Sequence, residues 1–159
     1  MENVDLKKLK DEIPYMWRVQ SSNQYGATCV AYIDSRDVQD VFDSVCGQGG
    51  WADEYYPVNG KLYCKIGVEV EPGFWVWKSD CGAESNIEAE KGESSDAFKR
   101  AAVKWGVGRF LYSLRVQRLK TIEGKGGKWN PFYEHNGQKV EIKTGEILTK
   151  YINSLIKKK

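Results

Sequence analysis

Apolar residues recur along this chain in two rhythms. Val38, Val41, Phe42 and Val45 fall at i, i+3, i+4 and i+7, the stripe of a helix that Asp34 or Ser35 caps and Gly47 ends. Leu62, Cys64, Ile66, Val68 and Val70 instead alternate with Tyr63, Lys65, Gly67 and Glu69, which is the period of a half-buried strand. Pro72-Gly73 then turns the chain into Phe74 to Lys78, so the two strands form an antiparallel hairpin with Trp75 and Trp77 on one face. Thr28 to Ile33 is rich in β-branched and aromatic side chains and predicts another strand. Phe98, Ala101, Ala102 and Trp105 mark a second helix, with Ser94 or Ser95 as its N-cap and Asp96 favouring its N-terminus.

Weaker signals complete the outline. Leu6, Leu9 and Ile13 predict a small opening helix that stops at Pro14, and Ile147, Leu148, Tyr151, Ile152 and Leu155 predict a closing one. Gly106 and Gly108 loosen the chain after Trp105, leaving Val107 to Leu114 open between a turn with an extended return and one with a helical return. Residues 120–138 begin with the glycine- and lysine-rich Lys120 to Lys128 and read as a flexible loop, followed by a short strand over Lys139 to Lys143. Strands, helix, strands, helix with tight strand connections is an α+β pattern with an antiparallel sheet.

A length of 159 residues with 41% hydrophobic and 29% charged composition fits one soluble domain over 1–159, with its core at about 14–115. No eighteen apolar residues run together and no leader precedes the first polar segment, so a cytoplasmic protein without a membrane partner is expected. Charge divides sharply along the chain. Up to Phe98 there are 9 basic and 18 acidic residues, and after it 15 basic and 4 acidic, so the two parts carry −9 and +11. From Lys99 to Lys120 seven bases occur without an acid, a field able to attract a polyanion.

Most catalytic chemistries find no support. The single histidine, His135, sits in a polar turn, and Cys29, Cys46, Cys64 and Cys81 lie seventeen or eighteen residues apart, as reduced core thiols do, with no spacing for a metal. Gly106-Val107-Gly108-Arg109 lacks the lysine and hydroxyl of a phosphate-binding loop. Asp80, Glu84, Glu88, Glu90 and Glu93 could hold Mg²⁺ for a nuclease but make no tight constellation. No catalytic residue, metal or cofactor is therefore expected. What remains is recognition of a phosphate polymer by lysine and arginine, with aromatics available to stack on bases. On the second helix Lys99, Arg100 and Lys104 lie outside the apolar stripe, and Arg100 and Lys104 share a face.

The run from Glu90 to Tyr112 (EKGESSDAFKRAAVKWGVGRFLY) resembles the signature helix of the Rad52-like single-strand annealing proteins, most nearly their phage Sak-type branch. Trp17 to Ser21, Tyr32 to Arg36 and Gly47 to Trp51 resemble further segments of that branch in the same order, over residues 14 to 115. The resemblance implies a β-β-β-α core with flanking N- and C-terminal helices, assembled into homo-oligomeric rings or filaments. It implies binding of single-stranded DNA and ATP-independent annealing to the complementary strand in phage recombination and repair, inside the bacterial host. A single-strand-binding protein or an exonuclease is a further candidate partner. By the same resemblance Lys99 and Arg100 after Asp96 line the DNA groove, Arg36 joins them from the earlier helix, and Lys91 from the upstream part of the signature helix. Lys104 and Arg109 extend the basic surface. Gln48 stands where eukaryotic relatives carry an aromatic, and the stretch before the helix is acidic where theirs is basic. Stacking at Gln48 and a second, outer DNA site therefore do not carry over. Two other outcomes compete with annealing: protection of strands or ends as a recombination mediator, and the nuclease.

Overall fold

The computed structural model describes residues 4–83 and 89–157, with the backbone alone for 89–91. In chain order its elements are β1 (Met16–Asn23), β2 (Gly26–Tyr32), α1 (Ser35–Cys46), β3 (Trp51–Val58), β4 (Lys61–Glu71), β5 (Phe74–Cys81), α2 (Ala89–Trp105), β6 (Gln117–Leu119), β7 (Thr121–Glu123), β8 (Trp129–His135), β9 (Gln138–Glu141) and α3 (Gly145–Lys157). They group into two compact units, one of residues 1–13 and 33–110, the other of 14–32 and 111–159. The fold class is α+β with antiparallel sheets, as the sequence indicates.

The first unit holds the β-β-β-α arrangement. α1 starts where its capping signal lies: Asp34 Oδ1 accepts from the Asp37 amide at 2.9 Å, and Asp37 Oδ2 accepts from the Asp34 amide at 3.0 Å. It ends at Gly47, whose amide donates to the Asp43 carbonyl at 2.9 Å. β3, β4 and β5 form one antiparallel sheet in that order, with Trp51 opposite Val68 and Val68 opposite Val76. The strand period sends Cys64, Ile66 and Val68 to the face that α2 covers, where Phe98, Ala101 and Ala102 are also fully buried. Trp51 links the layers, stacked on Phe42 at 5.1 Å and tilted against Phe98 at 6.1 Å. The opposite face of the sheet carries two stacked pairs, Trp75 with Trp77 at 6.1 Å and Tyr56 with Tyr63 at 5.6 Å.

Gly67 shows how closely that outer face is packed. A Cβ built there would lie 2.7 Å from the Trp77 ring. Gly67→Ala is expected to push Trp77 off the sheet and cost about 1–3 kcal/mol, read as a lower unfolding midpoint with altered tryptophan fluorescence.

In the second unit β1, β2 and β6 pair in that order, and β7, β8 and β9 form a separate sheet. α3 lies on β1: Thr149 Oγ1 accepts from the Trp17 amide at 2.9 Å, and the Trp17 indole donates to Asn153 Oδ1 at 3.1 Å. Trp17, Ala27, Cys29, Ile142, Leu148 and Ile152 form the buried cluster beneath.

Several expectations need correction. The opening helix is a short 3₁₀ turn, Leu6–Lys10, capped by Asp5 and anchored by buried Leu9. α2 begins at Ala89, ahead of both proposed caps, because Ser95 is already helical and its hydroxyl meets Ser35 instead. The open stretch after Trp105 is resolved as a 3₁₀ turn over Arg109–Ser113. The 120–138 segment is not a loop: β7 and β8 occupy much of it, with only Lys125–Gly127 as a short 3₁₀ turn between them. Cross-strand pairing of Thr121 with Pro131 and of Phe132 with Glu141 overrides the loop-like composition there. The glutamates at 84 and 88 fall outside the described residues, as do the last two lysines.

Candidate nucleic-acid interface

The surface that α2 offers to solvent follows from what it buries. Ala97, Phe98, Ala101 and Ala102 are at most 1% exposed and Trp105 is 6% exposed, its indole donating to the Ile66 carbonyl at 3.0 Å. At 3.6 residues per turn that leaves Arg100 and Lys104 exposed and Lys99 half-buried beside them. Arg100 Nε donates to Asp96 Oδ2 at 3.0 Å, and the same oxygen accepts from the Ala83 amide at 2.8 Å. Asp96 thus fixes the Ala83 backbone and steers the guanidinium one turn further on. Both partners of the ion pair are well exposed, so it is screened and weak, and the positive charge of Arg100 stays at the surface.

Arg36 lies exposed in the first turn of α1. Next to it, the hydroxyls of Ser35 and Ser95 share a hydrogen bond at 2.6 Å, which sets the start of α1 against α2 one turn before Lys99. The contact between the two helices is therefore made by the residue before Arg36 and the residue one turn before Lys99. The side chain of Lys91 lies outside the described residues.

Arg109 has a different place. Its Nε and Nη2 donate to the Val103 carbonyl at 3.2 and 2.9 Å, and Nη2 also reaches the Lys104 carbonyl at 3.1 Å. Lys78 Nζ donates to that Lys104 carbonyl at 3.3 Å and sits 4.5 Å over the Trp105 ring. The last carbonyls of a helix lack intrahelical partners and form its negative end, so these two cations close α2. Arg109→Ala is expected to lower stability by about 1 kcal/mol, checked by thermal unfolding, with a smaller effect on ligand binding than loss of Lys99 or Arg100. Lys78 is absent from the sequence-derived set. Its signal was the strand period, which puts Lys78 on the side of β5 opposite Trp77 and therefore toward α2.

Burial holds two of the thiols in their unreactive form. Cys64 is fully buried, and burial with the nearby Asp53 carboxylate pushes its thiol up to about 12; burial alone takes Cys46 to about 11. Both stay protonated near neutrality. Among the described residues no three His, Cys, Asp or Glu side chains are grouped to hold a metal ion, and no helix is long and apolar enough to cross a membrane.

The tertiary grouping redistributes charge. The unit that carries α2 has 12 basic and 18 acidic residues, net −6, whereas the unit of 14–32 and 111–159 has 12 basic and 4 acidic, net +8. The α2 cations are therefore a local basic patch on an acidic unit.

Residues 4–128 match the model of the Rad52/22 family double-strand break repair protein. The chain is also similar to two curated proteins, each named single-stranded DNA-binding protein DdrA. One, from Deinococcus radiodurans, is 37% identical over 93 residues, 57% of this chain and 44% of the relative. The other, from Deinococcus deserti, is 37% identical over 101 residues, 62% of this chain and 49% of the relative. The matched stretch thus spans a little under half the length of each.

Proposed function

This chain belongs to the Rad52/22 family of double-strand break repair proteins, and on that footing we propose that it binds single-stranded DNA and anneals it to a complementary strand without nucleotide hydrolysis. The observation that carries the reading is the division of α2, which buries Phe98, Ala101, Ala102 and Trp105 and leaves Arg100 and Lys104 exposed with Lys99 half-buried, on a helix joined through Ser95 to the start of α1 that carries Arg36. The names of the two DdrA relatives support the strand-binding part.

In this mechanism the cations neutralise phosphates and release counterions, which holds the strand by its backbone and leaves bases free to pair. Annealing needs no fuel, because stacking of about 1.4 kcal/mol per base-pair step makes the duplex the sink. The protein is a non-catalytic display surface of the bacterial cytoplasm. Self-association multiplies the patch into a track, and the aromatic outer face of the β3-β4-β5 sheet, where Trp77 is 40% exposed and stacked with Trp75, supports a contact between copies.

A second reading has one observation in its favour: the relatives' names speak of binding and not of annealing. It makes the protein a protector of strands or ends. Complementary labelled oligonucleotides mixed with the protein in EDTA without ATP separate the two. Accelerated duplex formation is the expected result; binding without acceleration moves the assignment to protection, and cleavage suppressed by EDTA but present with Mg²⁺ moves it to a nuclease.

A further inference from the structure

The basic unit of 14–32 and 111–159 contains a concave site that the α2 surface does not use. A cavity of about 250 Å³ is lined by Arg18 of β1, Lys128 just before β8, Lys143 just before α3 and Trp129, with Leu148 and Ile142 among its apolar lining. More than a hundred residues separate Arg18 from the two lysines, so only the fold brings the three residues to one hollow, at whose wall the Arg18 guanidinium also lies 5.8 Å over the Tyr32 ring. No acid lines it. None of the three cations is in an ion pair among the described residues, and Glu141, two residues from Lys143, is held by the Asn130 side-chain amide at 2.6 Å. Basic side chains that line a hollow without an acidic partner there attract an anion, which a bound phosphate supplies.

We propose that this cavity seats a phosphodiester of a DNA strand with an adjoining base against Trp129, a site separate from the α2 patch; it rests on the strand-binding reading but on none of the α2 residues. The chemistry recognised is a nucleotide phosphate, which a free mononucleotide also offers. Two features favour a polymer. The unit as a whole carries net +8, and it has a second hollow of about 320 Å³ with Arg118, Lys120 and the 86% exposed Tyr25, again without an acid. Cations and an aromatic at two spaced positions suit a chain of phosphates and bases better than a single nucleotide.

The test uses the full chain and a labelled single-stranded oligonucleotide, with anisotropy read across a series of KCl concentrations. Lys128 and Lys143 are exposed, so Lys128→Ala with Lys143→Ala leaves the core intact. That variant is expected to lose about tenfold in affinity and to flatten the slope of log affinity against log salt by about 1.4, two phosphate contacts at about 0.7 each. Trp129→Leu is expected to weaken binding while leaving the slope unchanged, as loss of stacking does. Wild-type affinity and slope in both variants, with binding lost in Lys99→Ala/Arg100→Ala, overturn this site and leave the α2 reading standing. The reverse pattern supports this site and removes the α2 reading. Absence of binding by the unaltered protein at low salt removes both. Displacement of oligonucleotide by micromolar dAMP from the wild type, but not from the lysine variant, assigns the cavity to free nucleotide and overturns the strand.

Discussion

Replacing Lys99 and Arg100 together by alanine is expected to abolish strand annealing while the protein stays folded. Each charged group that contacts a phosphate contributes about 1.5–3 kcal/mol, so losing two costs about 3–6 kcal/mol, about a hundredfold to twenty-thousandfold in affinity. The salt dependence should weaken by about 1.4 in logarithmic slope at the same time. Stability should hardly move. The Arg100–Asp96 pair is exposed at both ends and worth under about 1 kcal/mol, and Asp96 keeps its hydrogen bond from the Ala83 amide. Matching unfolding curves for variant and wild type, with annealing lost only in the variant, are the expected pair of results. Undiminished annealing by the double variant would sink the α2 assignment. Lys99→Arg keeps the charge and should retain most activity.

Phe98→Ala should produce the opposite pairing, a loss of strand binding that follows a loss of structure. The ring is 1% exposed, meets Trp51 at 6.1 Å and through it the stack on Phe42 at 5.1 Å, so its removal opens a cavity between α2, the sheet and α1. Truncations of this kind cost about 3–5 kcal/mol, a large part of the 5–15 kcal/mol that typically holds a domain together. Circular dichroism should show a much lower unfolding midpoint and a weakened near-ultraviolet signal. Phe98→Leu, which fills most of the space, should fold and bind at low temperature. A wild-type unfolding curve for Phe98→Ala would mean that Phe98 does not seat α2 on its sheet.

Residues 98 to 100 show why a short sequence stretch can predict so much of this site. Helical period alone puts Phe98 in the core and Lys99 and Arg100 outside it, and the structure keeps that division. The same holds for α1, whose caps lie within the chain segment they terminate, and for the middle of β4, where Cys64, Ile66 and Val68 are buried as the strand period requires. β3 is different. Its WADEYYPV segment mixes acids, aromatics and a proline on both faces, and it is a strand because it pairs with β4 along its whole length. Ser95 is a good helix cap by type, yet the chain is already helical there and its hydroxyl is bonded to Ser35, sixty residues away. Arg109 belongs to the basic run in sequence but spends its guanidinium on the carbonyls that end α2.

Charge gives the sharpest contrast between the two levels of description. Along the chain it divides at Phe98 into −9 and +11; in space Pro14 to Tyr32 joins the C-terminal segments, and the units carry −6 and +8. Local periodicity, capping chemistry and the acid-free run were determined by the sequence itself, because each depends on neighbours within a few residues. Which cations meet was decided only by the tertiary structure. Strand pairing and helix docking put Arg18, Lys128 and Lys143 around one hollow and tie Ser35 to Ser95 of α2, and contacts across such separations leave no periodic trace in the chain.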